Sequence, residues 1–155
     1  MQVYRISTCK FINDLGGTGA ALYGGRWNPV SFPLLYTSAS ISLACLEYMA
    51  HNFQILKTVE ICMAVIEIPS SLSIEEISAS ELPEQWSDKL HPPLYTQQIG
   101  KRFIERGEHP LLKVPSAIVP QEFNYLINPA HPEHELIFIA DEVKPFQVDE
   151  RLFAL

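Results

Sequence analysis

Alternation of apolar and polar side chains marks where a chain extends, and a period near 3.6 residues marks where it coils. Residues 3–6 (VYRI) alternate, which predicts a first strand with Arg5 on the face opposite Tyr4 and Ile6. Residues 32–38 (FPLLYTS) form a short apolar run ending in hydroxyls, read as a buried strand. Over residues 38–53, Ile41, Ala44, Cys45, Tyr48 and Met49 make one stripe, which Leu43, Leu46, Ala50 and Phe53 widen. The pattern predicts a helix apolar on most sides and therefore buried, capped by Ser38 or Ser40. Residues 60–68 are apolar on both faces, as in a central strand, and Pro69 ends them. Tyr95, Ile99 and Phe103 recur every four residues, predicting a second helix over residues 94–106 with Gly107 closing it. Residues 111–120 give a short strand bracketed by prolines with Ser116 at its start, and further short strands are expected at 124–127, 136–139 and 146–148. The order predicts an α+β fold, one domain over residues 1–155, with most strands in the second half.

The segments between are polar. Residues 13–21 (NDLGGTGAA) are glycine-rich but match neither G-x-G-x-x-G nor a Gly-Lys-Ser/Thr phosphate loop, so they read as a flexible loop or as one that folds over a ligand. Glu75 and Glu76 read as a solvated face, and residues 82–86 as a connector anchored by Trp86. No repeat, low-complexity tract or linker interrupts the pattern.

Composition narrows the class. With 47% hydrophobic and 19% charged residues, 155 residues suffice for one core. Against 18 Asp and Glu stand 11 Lys and Arg, a formal charge of -7, and no basic cluster, so direct nucleic-acid binding is not expected. Cys9, Cys45 and Cys62 have no CxxC spacing and apolar neighbours, and are expected as buried free thiols in a reducing compartment. With no signal-peptide pattern and no apolar run near the ~20 residues of a membrane span, the expected location is cytoplasmic.

The chemistry concentrates in one stretch. In Gly24-Gly25-Arg26-Trp27-Asn28 the glycines permit close backbone approach to a ligand, and a planar guanidinium can hold phosphate oxygens bidentately. Tyr36 and Ser38 follow on the next strand. Glu47, with His51 one turn later, is a carboxylate in a helix expected to lie inside, and isolated acids stay buried only when paired or used. On residue types alone, pairing with an arginine or reaching the rim explains Glu47 as well as a ligand does. A Ser-His-Asp set drawn from Ser116 lacks the G-x-S-x-G elbow. The HPEHE run at residues 131–135 has no metal-ligand spacing, and Pro132 breaks any helix that would align it.

Taken together, Val3-Tyr4-Arg5, Gly24-Gly25-Arg26-Trp27-Asn28, Leu35-Tyr36-Thr37-Ser38, Ala44-Cys45-Leu46-Glu47, Val114-Pro115-Ser116-Ala117-Ile118-Val119-Pro120, residues 124–132 (NYLINPAHP) and Asp149-Glu150-Arg151-Leu152 resemble, in order and spacing, the RES domain family, named for its arginine, glutamate and serine. The resemblance covers nearly the whole chain. It implies a mixed β-sheet core with flanking helices, similar to ADP-ribosyltransferases, and the role of toxin in a RES–Xre toxin–antitoxin pair. By position the family's arginine is Arg26, its glutamate Glu47 and its serine Ser116, with Tyr36 in the same pocket and Arg5 where related toxins keep an arginine.

The resemblance further implies consumption of NAD⁺ as substrate, by hydrolysis, by phosphorolysis with inorganic phosphate as co-substrate, or by ADP-ribose transfer to a protein. Arg5, Gly25, Arg26, Tyr36, Ser38 and Ser116 are then expected to contact the dinucleotide, and Arg26, Glu47, Tyr36 and Ser116 to serve the reaction. No metal is expected. An Xre-type helix-turn-helix antitoxin is the expected partner, and self-association is left open. The non-enzymatic alternative is a small binding module in which an arginine and Glu47 form a buried pair.

Overall fold

The N-terminal alternation is observed as β1, Gln2–Thr8, in a computed structural model that describes residues 1–52, 54, 58–89 and 93–153, without the Phe153 side chain. The elements that follow are α1 (Thr18–Tyr23), β2 (Leu35–Ser38), α2 (Ile41–Asn52), β3 (Ile61–Glu67), β4 (Ile74–Glu76), α3 (Leu94–Arg106), β5 (Leu111–Pro115), β6 (Phe123–Ile127), β7 (Phe138–Ile139) and β8 (Lys144–Pro145). The predicted end of the first helix at Phe53 lies outside the described residues. Ser40 supplies that helix's cap, its hydroxyl accepting the Leu43 amide at 3.1 Å. Gly107 closes α3 in the left-handed region, with φ of 57°, as its sequence position predicts.

Among the described residues the strands form one sheet in the order β4-β5-β6-β2-β1-β3-β7, with β8 pairing the other end of β3 from β7. β4 and β5 run parallel and every other pair is antiparallel, so the mixed α+β architecture is as expected. Strands are spread evenly over the chain and not concentrated in its second half. The glycine-rich segment holds the short α1 in addition to a loop, because Asp14 accepts the Gly16 and Thr18 amides at 2.9 and 3.1 Å and so starts a helical turn.

Register sorts the side chains into two faces. One face sets Val3, Leu35, Ala64, Ile66, Leu111 and Ile127 in a core closed by Ile12 and Ile137. The other carries the helices. There Leu34, Leu112, Val114 and Leu126 pack with Trp27 and with Phe103 of α3, while Ile6 and Ile61 pack with Ala44 of α2. Arg5 lies on the face opposite Tyr4 and Ile6, as alternation requires, and its guanidinium donates to the carbonyls of Ile12, at 3.0 Å, and Asp14.

Three further expectations are corrected. Cys9 and Cys62 are joined in a disulfide, and only Cys45 is free. Sequence spacing hides the pair, since β1 and β3 register Ser7 against Cys62 and so bring a residue 53 positions away beside Cys9. Ser116 does not begin a strand. β5 ends at Pro115, and residues 116–122 turn back into β6 through bonds from Ser116 N to Glu122 O and from Glu122 N to Val119 O, both 2.9 Å. α2 is not buried on most sides: Leu43 and Ala44 are, while Ile41 and Leu46 are about 40% exposed.

Candidate active site

A cleft opens where the sheet splits. β1 and β2 are paired at a single position, Tyr4 opposite Ser38. Past it, residues 5–8 and 34–37 of the two diverging segments line a cavity of about 850 Å³. α2 walls it with Ala44, Glu47, Tyr48 and His51, and the opposite rim carries Tyr23 and residues 24–27. Among the described lining residues Glu47 is the one carboxylate, whereas Arg5, Arg26, His51 and Lys89 are basic. Such a concave site suits an anionic ligand of drug-like size. A second depression, between residues 59–61 and 145–151, offers no such field, since its Arg151 is bound twice by Asp149, at 2.9 and 2.8 Å.

Arg26 sits on a loop gripped from α3. Gln97 Nε2 donates to Gly25 O at 2.9 Å and Thr96 Oγ1 to Arg26 O at 2.5 Å. The helix comes this close because residue 100 is glycine; a Cβ there would lie 1.7 Å from the Trp27 carbonyl oxygen. Beneath the loop, the Tyr36 hydroxyl accepts the Trp27 amide at 3.0 Å and donates to Asn28 Oδ1 at 2.7 Å. Asn28, fully buried, donates in turn to Ala20 O and Phe32 O. Arg26 Nη1 donates to Trp86 O at 2.6 Å, and Trp86 packs on Trp27 with ring centroids 5.9 Å apart, so the connector that Trp86 anchors also aims the guanidinium.

The Tyr36 ring lines the cleft, but its hydroxyl is committed to the loop. Burial pushes its pKa well above the usual tyrosine range, against the pull of the Trp27 and Asn28 backbone and of the Arg26 charge, with Glu47 adding to the rise. It is a neutral phenol at every physiological pH. Gly25 borders the cleft, and what approaches it most closely is the protein itself: a Cβ there would meet the Tyr36 oxygen at 2.5 Å. Arg5 is pulled down by burial and back up by the Asp14 charge, and its carbonyl partners pin the loop that leads to α1.

Glu47 is held by two donors on one oxygen. Ser116 Oγ donates to Oε1 at 2.8 Å and Asn124 Nδ2 donates to the same atom at 2.6 Å. His51 Nε2 lies 3.8 Å from Oε2, at ion-pair range and too far for a hydrogen bond. Ser116 is fully buried and absent from the cleft lining, and its oxygen accepts the Ile118 and Val119 amides at 3.0 Å each. Its proton goes to a carboxylate and not to an imidazole, so the Ser-His-Asp arrangement is not formed. The buried arginine–glutamate pair is not formed either, since Arg26 donates to Trp86 and Arg5 to Ile12 and Asp14. Ser38 lines the cleft while its hydroxyl donates to Asn124 Oδ1 at 2.7 Å.

The structure thus brings Arg5, Gly25, Arg26, Tyr36, Ser38 and Glu47 to one cleft and sets Ser116 behind its wall. Sequence reasoning missed Asn124, Asn28, Thr96, Gln97 and Gly100. The one available signal was the resemblance of residues 124–132, in which Asn124 is the first residue quoted. Among the described residues no three His, Cys, Asp or Glu gather to hold a metal.

The RES domain family model matches residues 2–149. Toxin Res of Photorhabdus laumondii is 33% identical over 153 residues, covering 98% of this chain and 97% of its own. Prs ADP-ribosylating toxin of a Sphingobium species is 36% identical over 142 residues, 90% of this chain and 87% of its own. Toxin Res of Pseudomonas putida is 36% identical over 155 residues, 99% and 100% of the two chains. Among solved structures, a chain of the M. tuberculosis MbcT–MbcA toxin–antitoxin complex superposes with a TM-score of 0.71 over 99% of this chain and 86% of its own; at 17% identity it shows a shared fold. With a family match running from β1 past β8 and around the cleft that holds Arg26 and Glu47, this chain belongs to the RES domain family.

Proposed function

We propose that the protein is the toxin of a toxin–antitoxin pair and consumes NAD⁺ by breaking its nicotinamide–ribose bond in the cleft beneath α2. The observation that carries this reading is Glu47, the one carboxylate in a cleft whose described lining also carries the basic Arg5, Arg26, His51 and Lys89, and held there by Ser116 and Asn124. Nicotinamide leaves NAD⁺ as a neutral group, so no acid is needed to expel it. The barrier lies in the oxocarbenium-like ribose left behind. A preorganised carboxylate beside the ribose stabilises that charge, and groups of this kind are commonly worth about 3–4 kcal/mol. Arg26 is the residue for the pyrophosphate: with Nη1 on Trp86 O, the rest of its fork can take phosphate oxygens. The Tyr36 ring supplies a face for nicotinamide or ribose.

Water, inorganic phosphate and a protein side chain are the acceptors open to one ribosyl cation. Transfer to a protein gains support from the 36% identical relative named as a Prs ADP-ribosylating toxin. The partner in this reading is an antitoxin, in keeping with relatives named Toxin Res and with the shared fold of a chain from a toxin–antitoxin complex, and its Xre type follows from the family resemblance alone. DNA contact falls to that partner, in keeping with a chain of charge -7. No helix among the described residues is long and apolar enough to cross a membrane; the cytoplasmic NAD⁺ pool is the proposed target.

Incubating the purified protein with NAD⁺, with and without inorganic phosphate, and with labelled NAD⁺ plus cell extract, identifies the acceptor from the products. Glu47→Gln keeps an acceptor oxygen for Ser116 and Asn124 while removing the charge. We expect it to melt as the wild type and to lose about 100- to 1,000-fold in turnover. A Gln variant that depletes NAD⁺ at the wild-type rate removes Glu47 from the chemistry, and a wild-type protein inert in all three incubations removes the enzyme.

A further inference from the structure

Resting on the reading of Glu47 as the catalytic carboxylate, we propose that Asn124 and Ser38 are positioning residues that lock its Oε1 to the sheet and so present Oε2 to the ribose. Both protein donors converge on Oε1, at 2.8 and 2.6 Å, while the imidazole nearest Oε2 stays at 3.8 Å. An ionised carboxylate only accepts hydrogen bonds, so the amide of Asn124 must turn its nitrogen towards Glu47 and its oxygen away. On the far side that oxygen meets the Ser38 hydroxyl at 2.7 Å. Ser38 thereby fixes the amide's orientation, and the amide fixes the carboxylate.

Sheet register builds this line of bonds. Ser38 of β2 and Asn124 of β6 are Cα partners, so their side chains stand on the same face and touch. That face lies under α2, and both residues are buried, at 4% and 9% exposure. Ser116, two residues beyond the Cα partner of Asn124 in β5, completes the pair of donors. A carboxylate tethered through one oxygen cannot swing its other oxygen away from the ribose during the reaction, which is the preorganisation such catalysis needs.

The test compares Asn124→Ala, Asn124→Asp and Ser38→Ala with Glu47→Gln, each checked by thermal melting and assayed for kcat and KM. Asn124→Ala is expected to lower kcat about 10- to 100-fold with KM for NAD⁺ within about threefold of wild type. Asn124→Asp has the shape of asparagine but sets a second carboxylate against Glu47, and is expected to be slower than Asn124→Ala. A residue needed only for packing gives the reverse order, the isosteric Asp outperforming Ala. Ser38→Ala leaves Asn124 in place and is expected to cost kcat about three- to tenfold. Wild-type kcat in Asn124→Ala or in Ser38→Ala, or Asp faster than Ala, overturns the proposal while leaving an inactive Glu47→Gln, and with it the role of Glu47, intact. An active Glu47→Gln overturns both.

Discussion

Arg26 lines the cleft, with its backbone carbonyl on Thr96 and one guanidinium nitrogen on Trp86 O. Lysine cannot reproduce this, because one ammonium cannot serve the carbonyl and a phosphate in a fixed plane. Hydrogen bonds to charged groups contribute ~1.5–3 kcal/mol. Arg26→Lys is therefore expected to raise KM for NAD⁺ about tenfold or more with a smaller change in kcat, read from saturation curves; an unchanged KM places the phosphates elsewhere. Arg26 and Glu47 were legible because each breaks its surroundings, a cation among glycines and an acid in an apolar helix. Asn124 was not, because an asparagine in a short strand carries no chemistry until Ser38, 86 residues earlier, and Glu47, 77 residues earlier, are placed around it.

Among the elements, α3 was the easiest to read and the least expected to matter for the site. Its four-residue apolar spacing and Gly107 gave its extent, but the pattern does not say that Gly100 must lie against the Trp27 carbonyl. Alanine there gains helix propensity of ~1 kcal/mol and meets backbone at 1.7 Å, so the clash decides. Gly100→Ala is expected to destabilise by about 3 kcal/mol, at the upper end of overpacking costs, lowering Tm by about 6–12 °C; calorimetry checks it, and a neutral change means helix and loop separate freely. α2 shows the opposite error. Its apolar residues point several ways because the helix crosses the split between β1 and β2, so part of its surface is cleft wall and part faces solvent. A strand pattern confined by Pro115 and Pro120 misled in the same way, since the prolines mark the turn that carries Ser116 behind Glu47.

At the scale of the whole molecule, the mixed sheet flanked by helices was legible from strand and helix periodicity, whereas its cross-link depends on register, which local patterns do not fix. The Cys9–Cys62 bridge spans 53 positions, and closing a loop of that length removes about 4 kcal/mol of unfolded-state freedom. Dithiothreitol is expected to lower Tm of the wild type by about 8–16 °C and to leave Cys9→Ser, already at the lower value, unmoved; equal melting with and without reductant removes the bridge from the stability of the fold. Stability then follows the redox state of the compartment.

The order in which the site's parts leave the ribosome follows from the separation of Glu47 from its donors. A nascent chain has made Arg26 and Glu47 long before it has made Ser116 and Asn124, which lie 69 and 77 residues further on. At about 5–20 residues per second, that gap lasts roughly 4–15 seconds, during which the carboxylate has no anchor and the sheet has neither β5 nor β6. If Glu47 acts as proposed, a half-made chain is expected to leave NAD⁺ intact, and the time until β6 is complete is time in which the proposed partner can bind.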